Sequence, residues 1–228
     1  MNDQAAIRQI RPCFNWADID TVLLDMDGTL LDKYYDDYFW EIFVPETYAA
    51  KNGIDFQRAQ DILRNRYRSV ESTLQWSDLS YWSEELGLDI FHLKRCVEHL
   101  ISPHPFVNEF LEHVRTLKKR VCLITAAHPF SLELKLRKTG IRHLFHEITC
   151  TGEAGWPKED PAFWQELATY LYFDRSRTLF ADDTARVLDS ARQYGIRELI
   201  LVAKPSSHKP VVFSETFPSI VYFNELIF

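Results

Sequence analysis

The hydrophobic positions of this chain change rhythm along its length. Thr21 to Asp25, TVLLD, is a continuous apolar run that ends on a carboxylate. Such a run predicts a strand covered on both faces, and Gly28 and Thr29 supply the turn that follows. From about 33 to 105 the spacing becomes three or four residues. Phe39, Trp40, Phe43 and Val44 predict a helix that ends at Asn52-Gly53, and Phe56, Ala59, Ile62 and Leu63 predict a second. Ser77 is the expected N-cap of a third, with Trp82 and Leu86 facing inward and Gly87 as its stop. Phe91, Leu93, Val97, Leu100 and Ile101 predict a fourth, closed by Pro103. Four helices with short links suit a small bundle.

Beyond 105 strands and helices alternate. An amphipathic helix carries Val107, Phe110, Leu111, Val114 and Leu117. Strands are expected at Val121–Thr125, Glu147–Cys150, Thr178–Ala181 and Glu198–Val202. Helices are expected at Phe130–Lys138, Pro161–Leu171 and Ala185–Tyr194. This alternation predicts a Rossmann-like α/β fold with a parallel, doubly wound sheet. The helical stretch is then an insertion after the first strand. Ligands of such sheets bind beyond the carboxyl ends of the strands, where Asp25, Thr125 and Asp182-Asp183 fall.

Composition narrows the partners. The chain has 228 residues, 46% of them hydrophobic and 26% charged, which is ordinary for a packed globular protein. A formal net charge of -7 argues against a nucleic-acid polymer or an anionic membrane surface as partner. The apolar runs are too short to span a membrane. The opening MNDQAAIRQIRPCFNW has no apolar core of a leader and reads as cytoplasmic. Cysteines 13, 96, 122 and 150 form no CxxC, so reduced, buried thiols are expected rather than zinc or disulfides.

The candidate chemistry lies in four segments. In DMDGTL, Asp25 and Asp27 stand two residues apart just past a strand, so both carboxylates can face one side. Such a pair offers a nucleophile and a general acid–base group, although Asp and Gly also build ordinary turns. In FADDTARVL, the adjacent Asp182 and Asp183 repel one another, which suggests a hard cation such as Mg²⁺ at the strand ends. Helix capping by Asp183 is the competing reading. Thr125 and the backbone N–H after it can hold a phosphate at a helix N-terminus, or Thr125 can be a plain N-cap. Lys158, before a helix in GWPKEDPAFW, is either a point charge for a phosphoryl oxygen or a solvated surface lysine. The HxxH at His143 and His146, with Glu147 after it, is not a zinc-protease pattern and reads as a turn into a strand. Tyr34, Tyr35, Tyr38, Phe39 and Trp40 are expected mainly as bundle core, with base stacking by Tyr34 or Tyr35 as the alternative. His128 is expected either near the phosphate or in a packing or capping role. Lys204 to Lys209, KPSSHK, reads as a polar loop.

In this order the four segments resemble the haloacid dehalogenase superfamily of phosphohydrolases, over nearly the whole chain. The resemblance implies a core of residues 1–33 and 106–228 and a helical cap of residues 34–105. It implies Asp25 as nucleophile, Asp27 as acid–base residue, Thr125 as phosphate ligand and Lys158 as the lysine that steadies nucleophile and phosphoryl group. Mg²⁺ would be held by Asp25, the Asp27 carbonyl and Asp183, with Asp182 as neighbour. DTVLLDMDGTLLD, LSYWSEELGLDI and TLFADDTARVLDSARQYGIR are further similar to the superfamily's purine-nucleotidase branch. That branch implies hydrolysis of a small phosphorylated metabolite, a nucleoside monophosphate such as GMP or IMP, through an aspartyl phosphate. Ala126 departs from the branch, which has asparagine there, so any amide contact to phosphate or substrate is lost. The alternatives are a phosphatase for a sugar phosphate or other small phosphomonoester, and a catalytically weak phospholigand-binding protein on the same fold.

Overall fold

The computed structural model describes residues 9–71 and 73–227. The cytoplasmic reading rests in part on residues 1–8, which lie outside them. Six parallel strands form one sheet in the order β3-β2-β1-β4-β5-β6. They are β1 (Thr21–Leu24), β2 (Arg120–Thr125), β3 (Glu147–Cys150), β4 (Thr178–Asp182), β5 (Glu198–Val202) and β6 (Ser219–Ile220). Between β1 and β2 run α1 (Tyr34–Tyr38), α2 (Val44–Asn52), α3 (Phe56–Val70), α4 (Leu79–Leu86), α5 (Ile90–Cys96) and α6 (Val107–Thr116). Then come α7 (Pro129–Thr139), α8 (Thr151–Ala154), α9 (Pro161–Tyr170) and α10 (Ala185–Tyr194). The α/β, doubly wound architecture expected from the alternation is the one observed.

Alternation along each strand explains why both faces are apolar. Val22 and Leu24 of β1 pack on one side with Val107, Phe110 and Val114 of α6. Leu23, between them, faces the other side with Phe163, Trp164 and Leu167 of α9 and Val187 and Leu188 of α10. All four β1 residues are therefore buried. The sheet order puts the reversal of winding beside β1, between β2 and β4, so the carboxyl ends of β1 and β4 open onto a crevice.

The expected first inserted helix is α1 and α2 joined by a π-helical turn, Phe39–Phe43. Pro45 has no N–H to give the Glu41 carbonyl four residues back. The Gln60 side-chain amide of α3 donates to that carbonyl instead, at 2.9 Å. The third helix is capped by Asp78, not Ser77: the Asp78 carboxylate accepts from the Ser80 and Tyr81 N–H groups, while Ser77 ends a preceding 3₁₀ turn. Trp82 and Leu86 face inward and Gly87 ends that helix in a left-handed conformation, as expected. Two cysteine expectations need correction. Cys122 and Cys150 are buried, but Cys13 and Cys96 are exposed, Cys96 at the end of a short helix with its sulfur near the His92 ring. The strand β6 follows a long loop and pairs only two residues with β5. No helix among the described residues is long and apolar enough to cross a membrane.

Candidate active site

The backbone that follows β1 makes the site. Asp25 sits one residue past the strand, tied to the sheet by its N–H to the Ala181 carbonyl at 3.0 Å. Gly28 then turns the chain with φ +87°, a conformation that favours glycine. A Cβ at Gly28 would lie 2.4 Å from Asp183 Oδ2 and 2.9 Å from Pro205 Cβ. Only glycine lets this loop approach the end of β4 so closely.

One cleft of about 740 Å³ is lined by Asp25, Asp27, Thr125, Ala126, Lys158 and both Asp182 and Asp183. The structure thus brings together the residues of all four segments singled out for chemistry. At its floor, Lys158 Nζ donates to Asp25 Oδ1 at 2.5 Å and to Asp182 Oδ2 at 2.6 Å. Lys158 is 5% exposed, which rules out a solvated surface lysine. The Trp164 indole N–H, shared between Ser190 Oγ and the Lys158 carbonyl, anchors its loop to α9. Carboxylate oxygens of Asp25, Asp182 and Asp183 all lie within 4.8 Å of one another. Asp182 also accepts from the Thr184 N–H at 2.8 Å, whereas among the described residues Asp183 accepts only from the Thr184 hydroxyl, at 3.2 Å. Of the pair, Asp183 has more lone-pair capacity left. Thr184 is the N-cap residue of α10, so Asp183 is not its cap.

The charges do not balance. Three carboxylates and one ammonium leave a formal charge of -2. Burial pushes the Asp25 carboxyl up to about 6, against the pull of Lys158. Burial and the neighbouring carboxylates push Asp183 well above the ordinary range. Burial opposes the charge on Lys158, but Asp182 and Asp25 more than hold it, and its pKa rises. A crowded, oxygen-only donor set that is two charges short fits a hard divalent cation.

Asp27 belongs to a second cluster. Lys135 of α7 donates to Asp27 Oδ1 at 2.6 Å and to Asp36 Oδ2 at 2.5 Å, and Lys94 of α5 donates to Asp36 Oδ1 at 3.0 Å. Burial also raises the Asp27 carboxyl to about 6. For Asp36 burial is outweighed by the two lysines, which hold it well below the usual range. The sequence reading missed Lys135, Asp36 and Lys94.

Thr125 Oγ1 accepts from the Ala127 N–H at 3.1 Å, and the N-cap of α7 is His128, whose ring Nδ1 accepts from Phe130 N–H. Thr125 is therefore not a helix cap, and its hydroxyl proton is available to the cleft. Ala126 is exposed at the cleft wall and offers only its backbone. His143 and His146 are spent on the Gly140 carbonyl and the Val121 N–H, so they are structural. Tyr35 is buried with its hydroxyl on the Lys94 carbonyl, and Tyr34 stacks on His208 at 3.8 Å; neither lines the cleft, but Trp40 does.

A parallel sheet with a carboxylate centre at its switch point defines a Rossmann-like α/β enzyme. The model of the haloacid dehalogenase-like hydrolase family matches residues 19–195. The chain belongs to that family and is a hydrolase. It is 41% identical over 216 residues to the GMP/IMP nucleotidase YrfG of Escherichia coli (strain K12), covering 93% of this chain and 96% of that protein. It is 27% identical over 186 residues to the N-acetylmuramic acid 6-phosphate phosphatase of Pseudomonas aeruginosa, covering 78% and 80% of the two chains. Among solved structures, an HAD phosphatase from Thermococcus onnurineus shares the fold with a TM-score of 0.75 at 19% identity, covering 91% and 96%.

Proposed function

We propose that this chain is a Mg²⁺-dependent phosphoric monoester hydrolase that acts on purine nucleoside 5′-monophosphates, GMP and IMP, through an aspartyl phosphate. The observation that carries this is the Asp25–Lys158–Asp182–Asp183 cluster with Asp27 two residues beyond, all in one cleft. The 41% identity to a GMP/IMP nucleotidase supports the substrate class.

Asp25, the Asp27 main-chain carbonyl and Asp183 are the residues that would hold Mg²⁺, with Asp182 beside them. The ion, when bound, supplies positive charge against the phosphoryl oxygens. Lys158 fixes one Asp25 oxygen, leaving the other to attack phosphorus. As the new O–P bond forms, the bond to the 5′-oxygen breaks, and the proton on Asp27 passes to that oxygen. Nucleoside leaves and an aspartyl phosphate remains. Asp27, now a carboxylate, takes a proton from water, which displaces the phosphate from Asp25. The Thr125 hydroxyl and Lys158 stabilise the equatorial oxygens throughout.

We read residues 34–105 as a cap over a core of 1–33 and 106–228. Among its residues along the cleft are the aromatic Trp40, Tyr67 and Trp76 and the donors Gln60 and Arg64. Trp76 is 44% exposed, and a purine stacked there would cover it. A cytoplasmic setting, where nucleotide pools lie, completes this reading. A sugar phosphate is the second reading, favoured by the relative that acts on N-acetylmuramic acid 6-phosphate.

Phosphate release with Mg²⁺ from GMP, IMP, AMP, pyrimidine monophosphates and sugar phosphates tests it. Selective turnover of GMP and IMP, abolished in Asp25→Asn, is expected. Selective turnover of sugar phosphates would discard the nucleotide reading, and full activity in Asp25→Asn would discard the mechanism.

A further inference from the structure

We infer that Lys135 is a positioning residue for the reaction: it aims the Asp27 carboxyl and ties it to the helical segment through Asp36. The inference rests on the reading of Asp27 as the proton donor. Lys135 lies within α7, and its side chain is only 2% exposed. Burying an ammonium is costly unless its hydrogen bonds are met, so an apolar residue would serve packing alone at least as well. Here two carboxylates meet the charge. One is Asp27, from the loop after β1; the other is Asp36, from α1. Lys94, from α5, secures the second Asp36 oxygen and is itself 3% exposed. Four elements are joined by one string of charges, Asp27, Lys135, Asp36 and Lys94.

With Asp27 ionised this string sums to zero, and with Asp27 protonated to +1, unlike the neighbouring cluster with its charge of -2. It calls for no cation. Its geometry is also directional. Asp27 Oδ1 is committed to Lys135, so Oδ2 is the oxygen left to carry the proton to the leaving group. When the phosphorus–oxygen bond to the leaving group breaks, that proton moves to the departing oxygen. Lys135 transfers nothing; it sets where Oδ2 stands. Displacing a catalytic group by 1 Å can cost ~10²-fold in rate.

The test compares Lys135→Met with wild type in the full chain, with Mg²⁺, on IMP and on p-nitrophenyl phosphate. The measured quantity is kcat/KM, which covers steps up to departure of the leaving group. The 5′-oxygen of IMP needs a proton to leave; p-nitrophenolate does not. We expect kcat/KM to fall about 100-fold for IMP and less than about 3-fold for p-nitrophenyl phosphate. Equal losses on both substrates, or no loss on IMP, would overturn the inference, since a merely structural role moves both alike. Should Lys135→Met not fold, Lys135→Arg keeps the charge and shifts Asp27, so a smaller loss with the same substrate dependence is expected; a loss without that dependence would overturn the inference. A wild type silent on both substrates would instead bring down the function reading, and this inference with it.

Discussion

Replacing Gly28 by alanine tests how closely the loop after β1 and the end of β4 depend on one another. Two costs arise. At φ +87° an L residue pays about 1–2 kcal/mol in backbone strain. The new Cβ would also stand 2.4 Å from Asp183 Oδ2, 2.8 Å from Asp183 Cγ and 2.9 Å from Pro205 Cβ. Neither neighbour yields freely. Asp183 is held in the carboxylate cluster, and the Pro205 carbonyl accepts from the Lys33 N–H at 2.9 Å and faces the His104 ring at 3.1 Å. Overpacking of this kind costs about 1–3 kcal/mol, so the total is about 2–5 kcal/mol. For a chain of this size that lowers the melting temperature by roughly 4–20 °C. Asp183 is the softer neighbour and gives way first. The Mg²⁺ concentration for half-maximal phosphate release should therefore rise about tenfold or more. Thermal unfolding in EDTA and a Mg²⁺ titration of activity measure the two effects separately. An unchanged melting temperature would refute the steric argument. A lowered melting temperature with an unchanged Mg²⁺ requirement would refute the placement of Asp183 among the metal ligands.

Two further outcomes are expected. Burial raises Asp25 and Asp27 to about 6, whereas an unfolded carboxyl titrates near ~4. Between those values the folded chain holds more protons than the unfolded one, so the stability these groups contribute is full at low pH and is lost as pH rises through about 6. In EDTA the melting temperature should accordingly fall from pH 5 to pH 7.5, and Mg²⁺, which favours the ionised cluster, should restore it; a flat profile in EDTA would count against the crowding. Trp76→Ala should raise KM for IMP about tenfold through lost stacking and leave ribose 5-phosphate unchanged; equal increases for both would remove Trp76 from base recognition.

The sequence makes the sheet and the first cluster readable because both are local patterns. Thr21 to Asp25 is apolar without a break because both faces of β1 are covered, and the carboxylates follow directly on strands. Lys158 has no such frame, and its residue type favours a solvated surface lysine; the 2.5 Å and 2.6 Å contacts to Asp25 and Asp182 place it instead in the cleft. The capping error at Ser77 and Asp78 came from one position of register between two good capping residues. The loop from Lys204 to Lys209 looked merely polar because much of what it gives is main chain: the Pro205 carbonyl and the Ser207 N–H, which donates to Asp32. The second cluster was hidden most deeply. Lys135 meets Asp27 and Asp36 across separations of 108 and 99 residues, and its flanking Leu134 and Leu136 look like the ordinary apolar stripe of an amphipathic helix.

The two clusters divide the chemistry by charge. The first gathers three carboxylates around one lysine and stays two charges short, an arrangement that costs stability until a cation joins it. The second pairs two carboxylates with two lysines and is complete as it stands. Asp25 and Asp27 are only two residues apart, yet each is steered by a different lysine from a different element, Lys158 and Lys135. On the proposed mechanism, that separation gives Asp25 the surroundings of a cation-bound nucleophile and leaves Asp27 free to exchange a proton. Exchanging the two environments, with Asp25 deprived of Lys158 or Asp27 of Lys135, should therefore harm different steps: bond formation to phosphorus in the first case, protonation of the leaving group in the second.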